Sequence, residues 1–224
     1  MSSCGNQKWE VGKWYKIMGE LQLCENGFHC SRKAIDAMSY VHVEILARVE
    51  VRGKHIEKSD KECWSEMKIV KAWKWTKRDS VALAVFSAEL VLESFEKDFP
   101  SDKNPRKAIE AAKKYLDNPS ALTAPEITEC ARLASMSASY TACDLYKIHK
   151  FCPAVAAAYA AHWAAATVCS PTDLEAALAV TYTVSWVTTI ETVHCGDYFY
   201  PTLKNIKGKI EKWILNRTKN LEKC

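Results

Sequence analysis

The chain has 224 residues, 48% of them apolar and 26% charged. That suits one large or two small globular domains and excludes disorder over most of the length. Its net charge of +4 lies formally in the first third, with 15 Lys and Arg against 11 Asp and Glu in residues 1–79 and 16 of each in residues 80–224. That excess is too weak to imply the clustered basic face of a nucleic-acid polymer binder and leaves room for a modest anion site.

The first 78 residues read as α+β. "GELQL" (19–23) and "VEILARVEVRG" (43–53) are β-rich, and the period-2 alternation from Val49 to Arg52 predicts a strand with one solvated face, ended by Gly53. Between them "SRKAIDAMSYV" places Ala34, Ile35, Ala37, Met38 and Val41 at helical spacing, with Ser31 as N-cap. "KIVKAWKWTK" (68–77) predicts a further strand, with Ile69, Lys71, Trp73 and Trp75 on one face.

After Asp79 the period becomes 3.6. Val81, Ala84, Val85, Ala88, Val91, Leu92 and Phe95 form one stripe that ends before Pro100. Asn104 and Pro105 supply an N-cap and a Pro at N1 for the next helix. Thr123 to Glu126 reads as a capping box for a helix to about Ile148. Pro153 precedes "AVAAAYAAHWAAATV", Ser170-Pro171 opens another helix, and a last one sets Ile206, Ile210, Trp213, Ile214 and Leu221 on one face. Residues 154–195 carry only Asp173, Glu175 and Glu191 as formal charges. A helix apolar all round is normally central in a bundle, so Tyr159, His162, Trp163, Tyr182 and Trp186 are expected as large groups between small ones. Tyr159/Trp163 and Tyr182/Trp186 share a four-residue spacing, which helix periodicity accounts for without an internal repeat.

No pair of the ten cysteines has C-x-x-C spacing, and the opening "MSSCGNQKWE" has no apolar h-region. A reducing, cytoplasmic setting is therefore expected, with Cys acting as small buried hydrophobes. No run of 18 uncharged apolar residues occurs, so no membrane partner is expected.

The segment "CENGFHC" (24–30) raises the question of chemistry. Adjacent His29 and Cys30 point opposite ways in an extended chain and make a poor metal pair, and Cys63 would be a distant further ligand. A Cys nucleophile needs a base and an orienting third group, and none is recognisable. Asn26-Gly27 reads as the turn and Phe28 as its anchor, with His29 and Ser31 facing a pocket at the start of the helix. In "KAWKWTKR" (71–78), Trp73, Trp75 and Lys77 could stack a base and contact phosphate, or the tryptophans could pack in a core. Arg106 and Lys107 sit in a first helical turn, which favours anions. His162 and Trp163, on the apolar helix, are either structural or the walls of a ligand cavity.

"FEKDFPSDKNPRKAIEAAKKYL" (95–116), through Phe95, Glu96, Pro100, Asp102, Pro105, Arg106, Ala108, Ile109, Glu110 and Ala111, resembles a family of immunity proteins of bacterial toxin systems. "LCENGFHCS", Ala37 to Val41, "VEVRG" and "VKAWKWTK" resemble a small phage-type domain of unknown function. The segment Gly27-Phe28-His29-x-Ser31 also resembles the start of ADP-ribosyltransferase-type domains, in which it would line a nicotinamide pocket and Glu62 or Glu66 would complete catalysis.

Together these imply an α+β domain at 1–78 followed by an all-α, Ala-rich bundle at 79–224, in the cytoplasm of an infected or host bacterium. The expected function is non-enzymatic: neutralising a toxin or defence component, by sequestering a nucleotide signal in a cleft or by docking on a protein. The expectation includes no cofactor, no metal and no catalytic residue, and leaves self-association open. The alternatives are an ADP-ribosyltransferase-like enzyme using NAD and a structural interaction module of a phage particle.

Overall fold

The computed structural model describes residues 8–40, 44–120, 123–146, 153–192 and 205–221. Val41 and Ile148, where the sequence placed helix ends, lie outside them. The chain divides into two compact units, residues 1–75 with 214–224, and residues 76–213.

In the first unit, β1 (Trp14–Lys16), β2 (Phe28–Cys30), α1 (Ala34–Met38), β3 (Ile45–Glu57) and β4 (Glu62–Lys74) follow in order. All strand pairs are antiparallel, and β4 lies at the centre. One edge of β4 pairs with β3; the other takes β1 at Glu66–Lys68 and β2 at Glu62–Trp64, end to end.

Three expectations are corrected here. "GELQL" is not a strand: it belongs to the bends and turn before β2, and only Gln22 bridges, to Asn26. Gly53 does not end its strand. It sits at φ +88° in a bulge, where a Cβ would meet Ser65 Oγ at 2.3 Å, and β3 continues to Glu57. A bulge absorbs one extra residue without breaking the ladder, and the Lys54 N–H donates to Ser65 Oγ at 2.9 Å. Ser31 does not cap α1, which begins at Ala34 with Lys33 at its N-cap and no side-chain cap.

The second unit holds α2 (Lys77–Asp98), α3 (Asn104–Asp117), α4 (Ala124–Tyr146), α5 (Pro153–Cys169), α6 (Asp173–Thr192) and the start of α7 (Ile206–Arg217). The starts follow local chemistry. Thr76 and Asp79 form a capping box on α2, and Thr123 with Glu126 exchange the same hydrogen bonds on α4. Asn104 is the first helical residue of α3 rather than its cap; its N–H is taken by Asp102 Oδ1 at 2.9 Å. All seven residues of the predicted α2 stripe are buried.

The helices form two layers, as their neighbours dictate. Central α5 is flanked by α4 and α6; behind this row, α3 packs on α4 and α5 while α2 packs on α5 and α6. Eight alanines of α5, Ala154, Ala156, Ala157, Ala158, Ala160, Ala161, Ala164 and Ala165, are fully buried. Small side chains let four neighbours approach one helix closely. The expectation for the large residues is corrected by this packing. Tyr159, His162 and Trp163 are only half-buried and Tyr182 is 44% exposed, because an alanine interior leaves no space for rings and turns them outward.

Candidate binding surface

The outer side of the α4–α5–α6 row is the most distinctive surface of the helical unit. On α5 the residues that escape burial are Tyr159, His162, Trp163, Ala166 and Cys169, spaced by three or four, so they form one outward stripe. Two ring stacks tie this stripe to α6: Tyr159 on Trp186 and Trp163 on Tyr182, each with centroids 4.6 Å apart. Leu178 and Leu174, one and two turns before Tyr182, extend the row at 37% and 44% exposure.

On the α4 side lies a groove of about 590 Å³. Thr128, Arg132, Ser135, Met136 and Tyr140 of α4 line it opposite His162, Ala166 and Cys169 of α5. His162 Nδ1 lies 2.8 Å from the Ala131 carbonyl oxygen. A carbonyl can only accept, so Nδ1 carries the proton and Nε2 holds the lone pair in the neutral ring. The Arg132 guanidinium is occupied by both carboxylate oxygens of Glu129 and by Met136 Sδ at 2.7 Å. An outward helix face is normally charged. Here α5 has no formal charge and α6 none between Glu175 and Glu191, so the face is apolar by composition and exposed by packing.

The other candidate residues are dispersed and largely engaged. Lys77 opens α2: its N–H donates to Asp173 Oδ1 at 2.8 Å, its ammonium donates to the Ser170 carbonyl at 2.6 Å, and it lies 5.5 Å from the Tyr115 ring. Burial lowers its pKa, and the bond to Ser170 makes the ammonium an internal pin. Arg106 grips both carboxylate oxygens of Glu96, whereas Lys107 beside it is exposed. In the sheet unit Trp73 is 9% exposed beneath Lys71, and its Nε1 has no hydrogen-bond partner among the described residues. Trp75 follows β4 at 1% exposure and donates its N–H to the Glu44 carbonyl. A ring this deep offers no face for stacking a base.

"CENGFHC" folds as a tight turn. Gln22 and Asn26 bridge, Cys24 takes φ +69° at the tip, and Asn26 Nδ2 donates to the carbonyls of Met18 and Glu20. The turn is thus centred on Cys24, not on Asn26-Gly27. Gly27 is required for another reason: a Cβ there would lie 2.2 Å from Cys63 Sγ. Phe28 packs edge-on against Trp9. His29 Nε2 accepts the Cys24 N–H at 3.0 Å, and burial, then the nearby Lys61 charge, keeps its pKa below the ordinary histidine value. Ser31 is half-buried just after β2. Burial, then Glu62, raises the Cys30 thiol to about 11, and burial also raises Cys63. Both stay protonated at neutral pH, so neither of these two thiols is an activated nucleophile.

Among the described residues no three of His, Cys, Asp and Glu gather as a metal ion would require, and no helix is long and apolar enough to cross a membrane. Sequence reasoning named His162, Trp163, Tyr182 and Trp186 but missed Met136, Tyr140, Leu174 and Leu178. The signal was a four-residue apolar recurrence beside, not within, each buried stripe.

Fold and surface define an α+β sheet unit with an alanine-packed helical unit whose outward α5 stripe carries no formal charge. Residues 1–78 match the family model of a domain of unknown function (DUF7666). No curated protein and no solved structure matches the chain.

Proposed function

We propose that the protein is a non-enzymatic binding protein that acts by docking another protein on the outer face of its α4–α5–α6 layer. The observation that carries this reading is the uncharged α5–α6 part of that face and its α4 rim, with Met136, Tyr140, Leu174, Leu178 and Tyr182 each at least 36% exposed and the rim's Arg132 paired with Glu129. Contiguous exposed apolar surface of this kind marks protein interaction sites. The sequence resemblances suggest the setting, bacterium–phage conflict, and the class of partner, a toxin or defence component.

Docking is favoured over sequestering a nucleotide because the groups suited to base and phosphate are engaged: Lys77 and Arg106 within the helical unit, Trp73 and Trp75 by burial. An NAD-using transferase is disfavoured at the same level. Glu66 is held by Arg52 and Lys16, and Glu62, 5% exposed, by Arg32 and Trp64.

Thermal melting against cyclic di- and trinucleotides and ADP-ribose derivatives tests the choice, together with nicotinamide release from NAD. No shift and no release are expected. A saturable rise in melting temperature with one nucleotide would replace docking by sequestration, and steady nicotinamide release would make the protein an enzyme.

A further inference from the structure

The outer face of the α4–α5–α6 layer has two unlike halves. On the α6 side Leu178, Tyr182 and Trp186 stand as a ridge, backed by Trp163 and Tyr159 through the ring stacks. On the α4 side runs the groove of about 590 Å³ between α4 and α5. Central α5 separates ridge from groove and has no formal charge along its 17 residues.

From this pairing we infer that a second copy of the chain seats on the face, with each copy's α6 ridge in the other's α4–α5 groove. The inference rests on the docking reading above and names a first occupant for that face. A twofold axis lying along α5 and in the plane of the contact exchanges the two sides of the face while turning it over. Ridge then meets groove twice, in one closed isologous contact. An axis across α5 would set ridge on ridge, where the rings collide, so the shape selects the first arrangement.

Charge argues for the same partner. A charged protein surface would lose its hydration here without gaining an opposite charge, since Arg132 is already paired with Glu129. A second copy brings the same chargeless α5 stripe, and in its groove Arg132 is already neutralised by its own Glu129. Size is adequate as well. A 17-residue helix is roughly 25 Å long and three adjacent helices span roughly 27 Å. That gives on the order of 700 Å² per copy, close to the ~800 Å² per partner of a standard stable interface.

Sedimentation velocity of the full chain over a range of concentrations tests the inference. Twice the chain mass is expected, falling to the single mass on dilution. Leu178→Glu on the ridge and Thr128→Lys at the level of the groove that Leu178 would meet should each weaken association at least tenfold. Both positions are more than a third exposed, so helix content and melting temperature should stay at wild-type values. Mixing the two variants should restore part of the association, because the carboxylate introduced on one copy's ridge would then face the ammonium introduced in the other's groove. A single mass at every concentration overturns the inference, as does a dimer indifferent to both substitutions. A monomer would still leave the docking reading standing, since the nucleotide and NAD measurements decide that separately.

Discussion

The sheet unit and the helical unit close their interiors with different side chains. Around β4, charges and rings interleave on the surface: Arg52 and Lys68 lie over the Trp14 ring, and Glu66 and Glu50 neutralise them. In the helical unit the interior is alanine, valine and a few large groups such as Phe95 and Leu83, and α5 has no charged residue to pair. A sheet three strands wide has little apolar area to bury, so local closeness and surface pairs define its geometry. A layered bundle gains its stability from area removed from water, which is proportional to the burial of many small groups.

Truncating the largest buried ring of α2 should give the largest effect. Phe95→Ala removes a side chain with 0% exposure and should cost about 3–5 kcal/mol, read from urea unfolding followed by helix ellipticity. The half-buried Phe28 of the sheet unit should lose far less on the same truncation, and equal losses would break the contrast. Next comes Gly27→Ala. Its Cβ would lie 2.2 Å from Cys63 Sγ and 2.7 Å from Leu21 Cδ1, so the turn must shift. The expected loss is about 1–3 kcal/mol, seen as faster amide exchange across β2 and β4. No change there would show that close approach does not define the sheet unit.

A smaller loss is expected at the start of the bundle. Thr76→Ala removes half of the capping box on α2 and should cost about 1 kcal/mol in thermal unfolding, with Thr76→Ser keeping most of it. The smallest effect belongs to the Arg106–Glu96 pair, partly exposed and so worth no more than ~1 kcal/mol. The Arg106 hydrogen bond holds the Glu96 carboxyl below its ordinary 4.5. A lowered native pKa stabilises above the ordinary value, and that stability disappears as pH falls through the native one. Glu96→Gln should therefore melt below wild type at neutral pH and converge with it as the solution is acidified below 4.5. A difference that persisted in acid would assign the effect to packing.

Much of the fold was legible because it is written in local chemistry. The α2 stripe and the Thr123–Glu126 box need only residues within a few positions of each other, whereas α2 starts at Lys77, ahead of the change of period read after Asp79. Gly53 was misread because the residue that makes it a bulge, Ser65, comes from the neighbouring strand. Ser31 was misread because a serine before a helical pattern signals a cap without fixing which turn comes first. The candidate site was legible only in pieces. His162 and Trp163 were visible as large groups in an alanine helix, but their outward direction was not, since it depends on where α2, α3, α4 and α6 leave α5 uncovered.

By itself, then, the sequence determined the two kinds of unit, the capping box of α4 and the uncharged character of α5, because period, capping and composition are properties of neighbouring residues. Only the tertiary structure decided which cations are engaged, how "CENGFHC" turns about Cys24, and that the apolar row lies beside a groove. Those depend on residues far apart in the chain, such as Lys77 with Ser170 and His162 with Ala131, which meet only once the helices have packed.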